Sequence, residues 1–185
     1  MKFYLVRHGQ TDWNIQRRFQ GRTNIPMNEA GIVQMKELAD RLADKGIEFD
    51  AIITSPLDRA KDTAKIIADK TGFSGEIIID EDFIERDGGL LEGSVWSPEL
   101  DMDSPKYKME TVQEMYDRSE RALKKYDFPQ DAKVLIVSHG SMLTAFRSFL
   151  SDYKIDFYDS EACIIQGKAL CIEKEPGKQM IIQYL

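Results

Sequence analysis

The sequence predicts an α/β fold: a three-layer α/β/α arrangement with a mostly parallel central sheet. Three observations predict it. Short apolar runs alternate with longer amphipathic stretches, the pattern of strand–helix–strand units. The amphipathic stretches repeat their apolar residues at the spacing of one helical face and stop at glycines, Gly46 and Gly72. The chain of 185 residues suits one domain, so residues 1–185 are expected to fold as a single unit that buries about two-thirds of its unfolded surface.

In order along the chain, residues 2–6 form a short apolar strand. Residues 29–44 carry Ile32, Met35, Leu38, Ala39 and Leu42 on one helical face. Residues 51–53 read as a buried strand, and Ser55-Pro56 opens a helix that runs to Thr71. Residues 77–79 are a third strand and residues 134–137 a fourth, followed by a helix over 141–150. Between the third and fourth strands, Gly88-Gly89, Pro98 and Pro105 break any period. Residues 87–108 therefore read as a flap leading into a helix over 111–126, an insertion spanning about 87–128. The tail alternates and turns at Gln166-Gly167 and Pro176-Gly177, which predicts two hairpins.

Composition narrows the function classes. A net charge of −7 argues against a nucleic-acid partner, which selects a basic face. It leaves room for a small anionic ligand, because a few clustered arginines set a local potential whatever the total. The apolar run at the N-terminus meets Arg7 at once, too early for a signal peptide or a membrane span, so a cytoplasmic protein is expected. Cys163 and Cys171 are too few for a zinc site and read as reduced thiols that can face each other across a hairpin.

The chemistry concentrates at strand ends. The only two histidines, His8 and His139, each follow a strand directly, and each precedes a glycine. In open α/β sheets ligands bind beyond the carboxyl ends of strands, so the two rings are expected to converge. Gly9 and Gly140 would permit close backbone approach or positive φ, and Gly140 opens a helix whose amides favour an anion. Arg59, in the first turn of its helix, is placed to reach the sheet edge, or else is a solvated helix arginine. Glu85 follows Phe83-Ile84, where an apolar pocket could let it hold and donate a proton. The neighbouring Asp80-Glu81-Asp82 favours instead a plain surface acid.

The segment Leu5-Val6-Arg7-His8-Gly9-Gln10-Thr11-Asp12-Trp13-Asn14 resembles the entry motif of the histidine phosphatase superfamily, which has the phosphoglycerate mutase-like fold. The resemblance continues through Phe19-Gln20-Gly21-Arg22, Ile25-Pro26-Met27-Asn28-Glu29-Ala30-Gly31, the Thr54-Ser55-Pro56 segment to Ala64, and Val137-Ser138-His139-Gly140, in family order. It implies a nucleophile at His8, phosphoryl-oxygen ligands at Arg7, Arg59 and His139, and a further polar contact at Asn14. It also implies a proton donor at Glu85 and a site-lining segment at Gln20 and Gly21. No metal or other cofactor is implied, and the expected partner is a small phosphorylated metabolite. The two arginines should disfavour a protonated His8 and keep it nucleophilic.

After Glu85 the family's phosphatases often carry an aromatic–glycine pair, then tryptophan, glutamate and glycine. Here Gly88-Gly89-Leu90-Leu91-Glu92-Gly93 keeps the spacing without the aromatics. Three activities fit: phosphomonoesterase, phosphoglycerate mutase, or a binding protein that has lost the chemistry. The complete motif set disfavours the last. Residues 87–103 contain five acids and no lysine or arginine, which favours the phosphomonoesterase over a mutase acting on a carboxylated ester and suggests a neutral or cationic leaving group. Lys106, Lys108 and Arg118, a little further on, are within reach of the site and keep the mutase as the alternative. Phe19, Trp96, Tyr107 and Tyr116 are candidate leaving-group contacts.

Overall fold

The computed structural model describes residues 1–174 and 180–185. Strand β1 spans Lys2–Arg7, and a one-turn helix α1, Asp12–Ile15, follows it. Then come α2 (Glu29–Asp44), β2 (Ala51–Thr54), α3 (Asp58–Thr71), β3 (Ile77–Ile79), α4 (Val112–Lys124), β4 (Lys133–Ser138), α5 (Gly140–Leu150), β5 (Ala169–Glu173) and β6 (Ile181–Tyr184). The six strands form one sheet in the order β3-β2-β4-β1-β5-β6. The first four strands are mutually parallel, and β5 and β6 continue the sheet antiparallel.

Alternation along β1 shows how the layers arise. Phe3 and Leu5 point into a core shared with Met115 of α4 and Met142 and Phe146 of α5. Tyr4 and Val6 point to the other face, against Met35, Leu38 and Leu42 of α2 and Ala60, Ala64 and Ile67 of α3. The period of two thus gives one helical layer on each side. The chain leaves β1 toward the α2 layer and leaves the adjacent β4 toward the α5 layer, so a crevice opens where their carboxyl ends diverge. That is the topological switch point at which α/β sheets bind ligands.

Two expectations for the tail need correction, and one short helix near the start goes unread in the sequence. Residues 160–162 form a 3₁₀ turn and residues 163–165 are not a strand, so β5 and β6 make the only hairpin among the described residues. The turn at Pro176-Gly177 lies outside the described residues. Cys171 is buried on β5, whereas Cys163 is exposed in the preceding loop; both are free thiols, and no hairpin sets them face to face. The turn α1 escapes periodicity because four residues are too few to show it; the capping box between Thr11 and Asn14 is what forms it. No helix among the described residues is long and apolar enough to cross a membrane.

Candidate active site

Strand register brings the two histidines together. Arg7 pairs with Ser138 across β1 and β4, so His8 and His139, one residue beyond, are neighbours; their ring centroids lie 5.1 Å apart. Both are buried. Both have pKa values held well below 6.5, chiefly by burial and then by the charge of Arg59, with Arg7 contributing to each. The arginines therefore act as expected, but desolvation leads.

With both rings neutral, the hydrogen bonds fix their tautomers. His8 Nδ1 lies 2.8 Å from the Gly9 carbonyl, which only accepts, so Nδ1 carries the proton and Nε2 bears a free lone pair. His139 Nδ1 receives a hydrogen bond from Arg59 Nε at 3.2 Å. Its Nε2–H therefore donates to Ser55 Oγ at 2.7 Å. Neutral His139 has no spare donor. A phosphoryl oxygen meets a donor on this ring only once Nδ1 is protonated, which releases Arg59 Nε to the same anion.

Arg59 is fully buried on α3. Its other guanidinium nitrogens donate to the carbonyls of Thr23 (2.8 Å) and Gly21 (2.9 Å). Burial lowers its pKa to about 10, opposed by Glu85 and Glu92, so it is cationic at neutral pH. Gly21 adopts φ +49°, and a Cβ there would lie 1.9 Å from Glu92 Oε1, so the position requires glycine. Glu92 accepts from the amides of Arg22 (2.8 Å), Thr23 (3.1 Å) and Gly88 (3.1 Å) and from the Thr23 hydroxyl. It thus clamps the loop that supplies the carbonyls for Arg59. The glutamate retained by spacing alone in the sequence is a buttress of the loop that holds Arg59.

Arg7 reaches over the start of α5: a Cβ built on Gly140 would lie 3.5 Å from its Cζ. Arg7 Nε is buried, and no group among the described residues accepts from it, the condition of a donor prepared for an anion. The expectation for the two glycines holds only in part. A Cβ at Gly9 would meet the Gly31 carbonyl oxygen at 2.6 Å, so Gly9 permits a close approach to α2; Gly140 meets ordinary contact distances and no positive φ.

Asn14 Oδ1 accepts from the Thr11 amide at 3.0 Å, and Thr11 Oγ lies 3.0 Å from Gln20 Oε1; both polar side chains are thereby tied to the loop after His8. Glu85 is half-buried, and backbone amides surround it rather than an apolar pocket. It accepts from Arg86 N at 2.8 Å and from Met142 N, in the first turn of α5, at 3.0 Å. Sequence reasoning missed Ser55, which fixes His139, and Gln166, whose Nε2 donates to the His8 carbonyl at 2.7 Å. The Ser55-Pro56 pair read only as a helix opening and Gln166 only as a turn; each contact is made between distant parts of the chain.

Beside Glu85 lies a cleft of about 410 Å³ lined by Arg22, Asp87, Lys108, Glu110, Arg118 and Arg121, among others. Of the flap acids only Asp87 faces it, because Glu92 turns inward and Asp103 pairs with Arg86 at 2.9 Å. Glu114 and Asp117 complete the charged lining, so four bases (Arg22, Lys108, Arg118 and Arg121) stand against four acids (Asp87, Glu110, Glu114 and Asp117). Phe19, Trp96, Tyr107 and Tyr116 do not line it, and Tyr116 instead packs on Tyr153 and bonds Ser148 of α5.

Comparison with known proteins places the chain among relatives of one family and fold. The sequence model of the histidine phosphatase superfamily (branch 1) matches residues 3–172. PhoE of Bacillus subtilis, named an uncharacterized phosphatase, is 40% identical over 155 residues, 80% of this chain and 76% of its own. GpmB of Escherichia coli, named a probable phosphoglycerate mutase, is 36% identical over 157 residues, 77% of this chain and 71% of its own. Among solved structures, a mycobacterial glucosyl-3-phosphoglycerate phosphatase shares the fold at TM-score 0.81 and 21% identity, covering 98% of this chain and 96% of that one. YhfR of Bacillus stearothermophilus superposes at TM-score 0.78 with 28% identity over 96% and 93%.

Proposed function

Because the chain belongs to the histidine phosphatase superfamily, we propose that it hydrolyses the monoester of a small phosphorylated metabolite through a phosphohistidine on His8. The observation that carries this reading is a buried, neutral His8 with a free Nε2 lone pair beside the unpartnered Arg7 Nε. An imidazole lone pair next to fixed cations suits attack on phosphorus, because phosphoryl transfer needs alignment and charge stabilisation more than covalent assistance.

In the first step His8 Nε2 bonds to phosphorus and the ester P–O bond breaks, while Arg7 and Arg59 balance the charge on the phosphoryl oxygens. His139, protonated at Nδ1 as the dianion enters, donates to one of them. Glu85 in its acid form gives its proton to the departing alcohol oxygen. In the second step Glu85, now a carboxylate, takes a proton from water as that water attacks phosphorus. The P–N bond breaks, and inorganic phosphate and free His8 result.

A mutase reading draws on the likeness to GpmB, and it uses the same first step. The two part at the second step, where either water or the substrate's own hydroxyl receives the phosphoryl group. A panel of phosphorylated metabolites, assayed for both free phosphate and isomerised ester, separates them. Release of phosphate as the main product supports the hydrolase. Isomerised ester with little phosphate overturns it.

A further inference from the structure

Around Glu85 the backbone is held from both sides by one ion pair, and no step described so far uses it. Arg118 of α4 and Glu110 just before that helix form a bidentate pair, Nε–Oε1 2.7 Å and Nη2–Oε2 2.8 Å, with both side chains only 8% exposed. The remaining Arg118 nitrogen, Nη1, donates to the carbonyls of Asp82 (2.7 Å) and Ile84 (2.8 Å), immediately before Glu85. Glu110 holds the other side. Its Oε2 accepts from the Asp87 amide at 3.1 Å, its backbone N–H donates to the Asp87 carbonyl at 3.0 Å, and its carbonyl accepts from Arg86 Nε at 2.6 Å. Arg86 N in turn donates to Glu85 Oε1 at 2.8 Å.

We infer that Arg118 and Glu110 are positioning residues for Glu85, setting where its carboxyl stands relative to the ester oxygen. The physical case rests on the cost of burying charge. A buried ion pair adds little to stability compared with apolar packing of the same volume, so its fully bonded presence here is best explained by what it orients. The segment it orients has no regular structure: residues 84–88 lie between two 3₁₀ turns, outside any strand or helix. The other side chain at these flanks, the more exposed Arg22, makes only longer contacts there, 3.5 Å to the Glu85 carbonyl, 3.5 Å to Asp87 and 3.4 Å to Glu110. A proton donor must stand within hydrogen-bond reach of its acceptor, and a displacement of about 1 Å can cost about 10²-fold in rate.

The inference rests on the phosphomonoesterase reading and is tested through the leaving group. An alkyl ester such as β-glycerophosphate needs the acid to expel its alcohol, whereas para-nitrophenyl phosphate does not. kcat/KM reports only steps through formation of the phosphohistidine. Glu110→Gln and Arg118→Lys should each lower kcat/KM for β-glycerophosphate about 10²-fold and leave that for para-nitrophenyl phosphate within a few-fold. In a Glu85→Gln background, Glu110→Gln should add no further loss on the alkyl ester, because residues acting as one unit are not additive. Should Arg118→Lys fail to fold, the near-isosteric Glu110→Gln and its double variant carry the test. Equal losses on both esters, no loss on either, or additive losses with Glu85→Gln would each overturn the inference. Failure of the hydrolase reading would look different: the unaltered protein would release phosphate from neither ester.

Discussion

Acidification to pH 5 should strip most of the stability contributed by the histidine pair, and the effect can be sized in advance. The chain has only two histidines, both buried and both held neutral well below pH 6.5. In the unfolded chain each titrates near its ordinary value of about 6.5. Below that value the unfolded state binds protons that the native state does not, so stability falls as pH falls. In the limit where neither native ring protonates, each ring costs about 2 kcal/mol between pH 7 and pH 5, about 4 kcal/mol for the pair. That is a large share of the roughly 5–15 kcal/mol that holds a domain folded. The window is clean. The carboxylates with lowered pKa values, Asp58, Asp82, Asp103 and Glu114, lose their contribution only as pH drops through the carboxylate range, about 4 and below. Urea unfolding measured at half-unit steps from pH 7 to pH 5 should show the decline, and His139→Gln should halve it. A flat profile, or stability that rises on acidification, would refute the account of two buried neutral rings.

Three further outcomes follow from the site. Gly21→Ala should lower the melting temperature by several degrees, the effect of about 1–3 kcal/mol of backbone strain and collision with Glu92, and should raise KM through the displaced Arg59; an unchanged KM would detach that loop from phosphate binding. Glu85→Gln should depress kcat/KM on alkyl esters about 10²–10⁴-fold while sparing aryl esters, and equal losses would assign the proton transfer to another group. Binding of an inert phosphate analogue such as vanadate should take up about one proton at His139 Nδ1 near neutral pH, because a donor there requires it. Calorimetry in buffers of differing ionisation enthalpy reads this directly, and zero uptake would contradict the tautomer assigned to that ring.

Much of this was legible in the chain, for identifiable reasons. The parallel sheet and its helical layers followed from runs such as residues 51–53 and 134–137, whose all-apolar character marks strands covered on both faces. The convergence of His8 and His139 followed from strand-end placement, which register then makes geometric. Contacts between distant parts of the chain were not legible. Ser55, Gln166 and Glu92 each act across tens of residues, and Glu92 looked like one more acid in an acidic flap although its carboxylate is spent on backbone amides. Counting charges along 87–103 likewise could not show that Glu92 turns inward or that Asp103 pairs with Arg86. The tail failed because alternation over residues 161–165 came without a strand partner.

The central claim is a phosphoryl group carried on His8, and rapid-quench labelling tests it most directly. With a phosphate-labelled ester, the unaltered protein should acquire an acid-labile, base-stable label that maps to His8, and His8→Ala should fold, bind the ester and acquire none. Label persisting in His8→Ala, or turnover by the unaltered protein with no label trapped either in it or in Glu85→Gln, where hydrolysis of the intermediate is slowed, would contradict the account.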